Sequence, residues 1–356
     1  MKSRWIGFIA INLLILLAAA CGGGGNGSGG PVHMYVTNAG SASISGFNLS
    51  SGGSAGTLSG SPYTAGNTPT SVVVVPGNFL LSTNAVDNTI SRFTVDSSGF
   101  LNPFEAPVNT ALTPSSIIVS PSGSFVFVAN SGSANITVYS YSAGALAEIA
   151  GSPFPAQTGA DQLAISPSGN FLYVTNQGAS SISGYSVASS GALTPLTGSP
   201  FTTGVGQQPV GIAISPSGSF LYVANRGSNN LSGFAIDSAG NLTPLTNSPY
   251  TAGTAPIGVA WDPTGNFLYV ANQNSNDVSG FQIASDGTPT AISGSPWTTG
   301  GRGESAIAVD PNGNTVVALN QATNTLTVFT KDSSGVLKAG FPVETGTAPS
   351  GIVISK

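Results

Sequence analysis

Apolar residues along this chain fall into short runs that recur at a nearly constant interval. Each run ends in an asparagine, and the seven asparagines lie 46 to 49 residues apart: Asn38, Asn84, Asn130, Asn176, Asn225, Asn272 and Asn320. Six residues beyond every asparagine there is a branched aliphatic residue, and nine residues beyond there is a Phe or Tyr. A period kept seven times without exception indicates a repeat protein with seven structural units.

Each unit predicts four β-strands. In the fifth unit an apolar run at 211–215 is followed by a turn, and the run FLYVAN at 220–225 is apolar enough to be buried on both faces. The segment 231–237 alternates in polarity, and the turn at 237–240 leads to a fourth strand that ends in the letters NSPY. Four strands in 40 to 50 residues are typical of a β-propeller blade.

The two ends of the repeat array complement each other. The array begins with a second strand at 32–38 and ends with a first strand at 350–355. The pattern therefore predicts an all-β, seven-bladed propeller of four-stranded antiparallel blades over 31–356. Its C-terminal strand should pair into the first blade and close the ring, which leaves no open sheet edge.

The segments YVTN at 35–38 and 173–176, and YVAN at 222–225 and 269–272, resemble the YVTN-type seven-bladed propellers, as do the SPSG turns that precede them. These proteins are grouped with the lactonase-like propellers, whose best-known member hydrolyses 6-phosphogluconolactone. The resemblance covers nearly all of 31–356 and implies the fold. It leaves the activity open, because the shared motifs belong to the framework of the blades.

The N-terminus reads as an export signal. Two basic residues, Lys2 and Arg4, precede an apolar run that ends in three alanines before Cys21, so 1–20 are expected to be a signal peptide. The letters LAAAC resemble a bacterial lipoprotein box, which implies cleavage before Cys21 and lipid on its sulfur. An ordinary signal with a coincidental cysteine is the alternative. The Gly-rich stretch 22–30 suits a tether, and the absence of Asp after Cys21 resembles the outer-membrane pattern, so we expect an exported protein anchored to that membrane by lipid.

Composition restricts the chemistry. Only 6% of the residues are charged, and once Lys2 and Arg4 leave with the signal peptide, six basic residues stand against 13 acidic ones. So few cations cannot neutralise a phosphate track, which excludes nucleic acid as a partner. One Cys and one His exclude disulfides and multi-His metal sites, so no metal or cofactor is expected. The single histidine, His33, is expected at the rim of the first blade and not in a catalytic role.

Function is sought where the repeats differ. Propeller loops before the first strand and after the second strand share one face, and several units carry long polar or charged residues there: Asp161, Gln177, Arg226, Gln273, Arg302, Glu304 and Gln321. Glu304 stands where most units have Pro. Arg suits carboxylate or phosphate groups and Gln suits hydroxyl-rich ligands. The alternative is that these are solvated loop residues with weak mutual ion pairs.

Two functions remain open at this point, beside a purely structural envelope or adhesion role with no defined ligand. The first is a non-enzymatic, monomeric module that binds a small polar ligand, a cell-envelope protein or a carbohydrate through this face. The second is a lactonase-like hydrolase in which Glu304 serves as the base and Arg226 and Arg302 as oxyanion donors, with Asp161, Asp87 and Asp277 as the other carboxylates near the channel. The recurring asparagines are expected to be structural.

Overall fold

The computed structural model describes residues 32–355, and every regular element in that range is a β-strand. The strands form seven five-stranded antiparallel sheets, one for each repeat, which we number blades 1 to 7 in chain order. The predicted all-β seven-bladed propeller is confirmed. The signal peptide, Cys21 and the tether lie outside the described residues, as does Lys356.

Three longer strands build the body of each blade. The innermost strands of blades 1 to 7 are Pro349–Ser355, Pro69–Val75, Pro114–Val119, Ala160–Ile165, Pro209–Ile214, Pro256–Trp261 and Glu304–Val309. The second strands are Val32–Asn38, Phe79–Asn84, Phe125–Asn130, Phe171–Asn176, Phe220–Asn225, Phe267–Asn272 and Thr315–Asn320. The third strands are Ser43–Leu49, Thr89–Val95, Asn135–Ser142, Ser181–Val187, Asn230–Ile236, Asp277–Ile283 and Thr325–Lys331.

The outer edge of each blade holds two short strands where the sequence predicted one. The fourth strands are Ala55–Thr57, Leu101–Pro103, Ala145–Glu148, Leu193–Pro195, Leu242–Pro244, Pro289–Ala291 and Leu337–Ala339. The fifth strands are Tyr63–Thr64, Val108–Asn109, Phe154–Pro155, Phe201–Thr202, Tyr250–Thr251, Trp297–Thr298 and Val343–Glu344. Both pair with the third strand of their own blade.

A Ser-Pro pair stands at this interruption in five blades, and blades 2 and 7 are divided in the same way without one. In blade 1 the Ser61 hydroxyl accepts a hydrogen bond from the Gly46 N–H of the third strand at 2.9 Å, and blades 3 to 6 repeat the bond. The proline that follows has no N–H to donate to the ladder. The serine side chain therefore takes over the pairing that the fourth strand gives up.

Ring closure follows the prediction. The innermost strand of blade 1 is the C-terminal Pro349–Ser355, which pairs antiparallel with the N-terminal Val32–Asn38, from His33 opposite Ser355 to Asn38 opposite Pro349. Innermost strands of successive blades contact one another around the whole ring, including blade 7 against blade 1. Within 32–355 no helix is long and apolar enough to cross a membrane.

The apolar core is divided among the spaces between blades. Between blades 7 and 1, for example, Leu319 and Leu326 pack with Met34 and Phe47, and all four side chains are at most 1% exposed. Comparable clusters fill the other interfaces. Because each blade buries both faces against its neighbours, the strands are buried on both sides.

Tyrosines of the YVTN and YVAN segments fasten one blade to the next. Tyr173 of blade 4 donates a hydrogen bond from its hydroxyl to the Gly240 carbonyl in the hairpin turn of blade 5, at 2.6 Å. Tyr35, Tyr222 and Tyr269 make the same bond to Gly99, Gly287 and Gly335. The motif that carried the family resemblance is thus a structural link between blades.

Candidate functional site

The face that bears the loops after the second strands and the segments entering the innermost strands is called here the crossover face. The seven asparagines line it, and each donates two hydrogen bonds from its side-chain nitrogen to the third strand of its own blade. Asn38 bonds Ser43 at 3.2 Å and Ser45 at 3.0 Å, and the other six follow the same spacing of five and seven residues. All seven are fully buried. They hold the blade framework, as the repetition predicts.

The second residue of each innermost strand belongs to a set that we call the inner ring. Its members are Thr70, Ser115, Asp161, Val210, Ile257, Ser305 and Ser350. Four of them donate a hydroxyl hydrogen bond to a backbone carbonyl in the innermost strand of the next blade, as Ser305 does to Pro349 at 2.7 Å. The inner ring is therefore a belt of neutral groups with one ionisable member, Asp161.

Asp161 lies in blade 4 and is only partly exposed. Burial raises the pKa of its carboxyl to about 6, and the positive charge of Arg226 in blade 5 opposes that shift. A carboxylate cannot donate the hydrogen bond that a hydroxyl gives at this position, and the Val210 carbonyl of blade 5 is bonded instead by Thr175 at 2.8 Å. The result is a carboxyl whose pKa is raised by burial and which feels the charge of Arg226, an arrangement suited to proton transfer.

Residues around Asp161 extend the polar region. Gln177 follows the asparagine of the same blade, is partly exposed, and donates its backbone N–H to Gly159 at 2.9 Å. Arg226 follows the asparagine of blade 5 and is exposed, and its backbone N–H bonds the Gln208 carbonyl at 3.0 Å. Three of the predicted residues, Asp161, Gln177 and Arg226, therefore occupy adjoining blades on one face.

Glu304 is positioned differently from what the sequence suggested. Its side chain is 0% exposed at the start of the innermost strand of blade 7, and its Oε1 accepts a hydrogen bond from the Thr299 hydroxyl at 2.6 Å. Burial raises the pKa of this carboxyl to about 7, the Thr299 bond opposes the shift, and the negative charge of Asp277 adds to it. Glu304 is thus closed off from solvent.

The two arginines are not joined to Glu304. Arg226 and Arg302 are both exposed, and the backbone N–H of Arg302 bonds the Thr323 hydroxyl at 3.2 Å. Within 32–355 the ion pairs are Arg92 with Glu105 and Lys331 with Asp262, and neither includes Arg226, Arg302 or Glu304. No ion pair of the described residues joins Glu304 to either arginine, and the arrangement of one glutamate between two arginines stays a prediction from the sequence.

The remaining sequence candidates are distributed around the face. Gln273 and Gln321 are partly exposed after the asparagines of blades 6 and 7. Asp87 is exposed and accepts two hydrogen bonds from Asn67, which lower the pKa of its carboxyl. Asp277 accepts a bond from Asn272 at 2.7 Å. Asp87 and Asp277 thus help to order their loops.

His33 is buried at the start of a second strand, on the face opposite the crossover face, where its ring lies against Gly99 of blade 2.

Sequence reasoning missed a cleft of about 540 Å³ at the closing seam between blades 7 and 1, lined mainly by hydroxyl and amide groups with Glu344. No local sequence signal marks this cleft, because its lining comes from segments of blades 1 and 7 that are far apart in the chain.

Comparison with known proteins identifies the family. Residues 33–295 match the family model described as "Lactonase, 7-bladed beta-propeller", which is more than half of the chain. The chain belongs to this lactonase family. No curated protein matches the sequence.

Solved structures of similar shape agree with that assignment. A Bacteroides fragilis protein described as a candidate 6-phosphogluconolactonase superposes with a TM-score of 0.81 at 20% identity, over 92% of this chain and 98% of that one. The Pseudomonas aeruginosa periplasmic gluconolactonase gives 0.79 at 21% identity, over 91% and 99%. A streptogramin B lyase is more distant, with a TM-score of 0.57 at 18% identity over 80% and 86%. At these identities the likeness establishes the fold.

Proposed function

We propose that this chain is a hydrolase that opens lactone rings on its crossover face, with Asp161 as the general base. The observation that carries the proposal is the inner ring, where one carboxylate replaces a repeated hydroxyl or apolar residue and has a pKa of about 6. Membership of the lactonase family supports the reaction class. The proposal therefore favours the hydrolase over the binding module, and replaces Glu304 by Asp161 as the base.

The chemistry requires few groups. Ionised Asp161 takes a proton from a water molecule, and the oxygen atom of that water forms a bond to the lactone carbonyl carbon. The carbonyl oxygen becomes an oxyanion, and Arg226, whose charge acts on Asp161, is placed to stabilise it. Collapse of that intermediate breaks the ring C–O bond, and the leaving alkoxide receives the proton back from Asp161. The product is a hydroxy acid, and no cofactor takes part.

The test measures hydrolysis of glucono-1,5-lactone by the purified protein at pH 7. The measured quantity is the rate of proton release above the spontaneous rate. We expect Asp161→Asn to lower kcat by roughly 10²- to 10⁴-fold, the usual contribution of general base catalysis. Asp87→Asn is the matched control, since it is also an aspartate on the crossover face, and it should retain activity. Likewise Arg226→Gln should lose activity and Arg302→Gln should not.

Three results would count against the proposal. Equal loss in Asp161→Asn and Asp87→Asn would mean that the base lies elsewhere. Rates unchanged in all variants would remove this face from catalysis. A protein that binds the lactone saturably without opening it would support the binding module instead.

A further inference from the structure

The cleft at the closing seam, called here the seam cleft, lies between two polar walls. Residues 41–43, Pro62 and Thr64 form the wall from blade 1, and Asn324 with 344–347 forms the wall from blade 7. Its volume of about 540 Å³ is within the range of small-molecule sites. In a ring of seven blades this seam is opposite blade 4, which carries Asp161. The seam cleft is therefore separate from the proposed catalytic region.

Hydrogen bonds between the two walls hold the seam cleft in shape. The Gly40 N–H bonds the Thr347 carbonyl at 2.9 Å, and the Thr347 N–H bonds the Ser41 hydroxyl at 3.1 Å. The Ala348 N–H bonds the Asn324 side-chain oxygen at 2.8 Å. A ligand that enters such a preformed site does not have to order the walls, and this lowers the cost of binding.

Small side chains explain why space is left at this seam. Val343 begins the fifth strand of blade 7, where five other blades have Tyr, Phe or Trp. On the facing wall, residues 39–43 read AGSAS and carry nothing larger than serine. Blade 2 has Val108 in the place of Val343, but its crossing segment has Leu112 where blade 7 has Thr347. The seam thus combines a small residue on one wall with a row of small residues on the other.

Within the described residues, Glu344 is the one charged side chain that lines the seam cleft. It is the second residue of the fifth strand, where the other six blades have Thr, Asn or Pro. It is exposed, and neither ion pair of 32–355 includes it. An anion would be repelled by this carboxylate, because no Lys, Arg or His of the described residues lines the cleft. A single carboxylate is also too few for a divalent cation.

The other polar groups of the seam cleft suit a neutral ligand that is rich in hydroxyls. Asn324 keeps its side-chain nitrogen as a donor, since Ala348 bonds its oxygen. Thr64 and Thr347 are exposed, and a threonine hydroxyl both donates and accepts hydrogen bonds. With the Glu344 carboxylate as an acceptor, these groups can bond adjacent hydroxyls of a sugar ring.

An exposed aromatic ring lies along the same seam. Phe341 is 94% exposed. A Cβ at its neighbour Gly340 would lie 3.7 Å from the Gly53 carbonyl oxygen of blade 1, so this segment follows the boundary between the two blades. Three residues of chain separate Phe341 from Glu344, a span of at most about 10 Å. A sugar ring has an apolar face of C–H groups, which gains from contact with such a ring.

We propose that the seam cleft binds a neutral saccharide, in which one sugar unit bonds Glu344 and Asn324 and the next packs on Phe341. The site has one charged group and is open to solvent, so most of the gross interaction energy is offset by the cost of association. We expect a dissociation constant of about 1 mM for a disaccharide.

The experiment is saturation-transfer difference NMR of the purified protein with cellobiose, maltose and N,N′-diacetylchitobiose as probes. We expect at least one of them to bind. Thr64→Phe fills the seam cleft from an exposed strand position and should abolish binding, whereas Thr251→Phe, at the same position of blade 5, should not change it. Glu344→Gln should weaken binding at least about fivefold, and Glu148→Gln, at an exposed glutamate of blade 3, should leave it unchanged.

A charged probe tests the part played by Glu344 directly. Glucuronate differs from glucose by a carboxylate, so it should bind more weakly than glucose, and Glu344→Gln should reduce that difference. Phe341→Ser should weaken the disaccharide about threefold and leave glucose unchanged.

Three results would overturn the saccharide proposal. The first is that none of the three disaccharides binds. The second is an equal loss of binding in Thr64→Phe and Thr251→Phe, and the third is a Glu344→Gln variant that binds as tightly as the wild type. None of these measurements depends on hydrolysis, so this proposal and the lactonase proposal can fail separately.

Discussion

Removing the hydroxyl of Tyr173 tests whether the YVTN tyrosines fasten adjacent blades. The bond to the Gly240 carbonyl is buried and 2.6 Å long, and Tyr173→Phe leaves that carbonyl without its partner. Loss of such a bond costs about 1 to 3 kcal/mol. With an unfolding entropy of roughly 0.7 kcal/mol per kelvin for a body of this size, Tm should fall by about 1.5 to 4 °C.

The chain offers a control and a reverse experiment. Tyr250→Phe removes a bond to Thr246 that is local and exposed, so it should shift Tm by less than about 1 °C. Blade 3 has Phe127 at the position of Tyr173, and the turn of blade 4 presents Gly191 with the same positive φ. Phe127→Tyr should therefore add the bond and raise stability by up to about 1 kcal/mol. Differential scanning calorimetry decides the matter: equal shifts for Tyr173→Phe and Tyr250→Phe would refute the idea of an interblade link.

Four further predictions address the charges and the chain ends. Because burial raises the pKa of Asp161 to about 6, lactonase activity should fall as pH drops below 6. The folded protein holds that proton more tightly than the unfolded one, so the free energy of unfolding falls as pH rises from about 4 to 6. At pH 8, Asp161→Asn should therefore be more stable than wild type by up to about 3 kcal/mol in urea unfolding. Deleting 349–355 removes the innermost strand of blade 1 and should cause aggregation or a large loss of Tm, and an unchanged Tm would contradict ring closure. Mass spectrometry of the membrane fraction should find acylated Cys21, with Cys21→Ala released into the soluble fraction. Arg92→Val should cost at least about 2 kcal/mol in the same urea assay, because the guanidinium bonds the Gly144 and Ala106 carbonyls and pairs with Glu105 at 3.0 Å.

The fold was predictable because its signals are local and repeated seven times. The asparagine spacing marks the end of every second strand, and the complementary chain ends predict the closing pair of Val32–Asn38 with Pro349–Ser355. The division of the outer edge into two strands was not predicted. In five blades it coincides with a serine hydroxyl that accepts a bond from a third-strand N–H, as Ser61 does from Gly46, a contact between residues 15 apart that strand propensity does not register.

The candidate site was only partly predictable for a related reason. Repeat alignment gives the face on which a loop residue lies, and it correctly singled out Asp161 and Glu304 as departures from the repeat. It does not give the depth of a side chain, which depends on what covers it. Asp161 keeps some exposure in the inner ring, whereas 299–303 and the Thr299 hydroxyl enclose Glu304. Glu304 and Asp161, the first and second residues of their innermost strands, therefore differ in their access to solvent.

The charged residues that interrupt the repeats fall into two groups according to their partners. Arg92 takes the position of Gly46 in blade 1, yet Glu105 and two carbonyls contact its terminal nitrogens, and Lys331 lies 3.5 Å from the buried Asp262. Such charges are explained by the fold alone. Asp161 and Glu304 are held in desolvating surroundings that raise the pKa of each carboxyl, and neither forms an ion pair within 32–355. Burial favours the protonated form of both carboxyls, so each exchanges its proton closer to neutral pH than an exposed carboxyl does. Asp161 is the one of the two that keeps some exposure, and we therefore propose a reacting water and lactone as its partners.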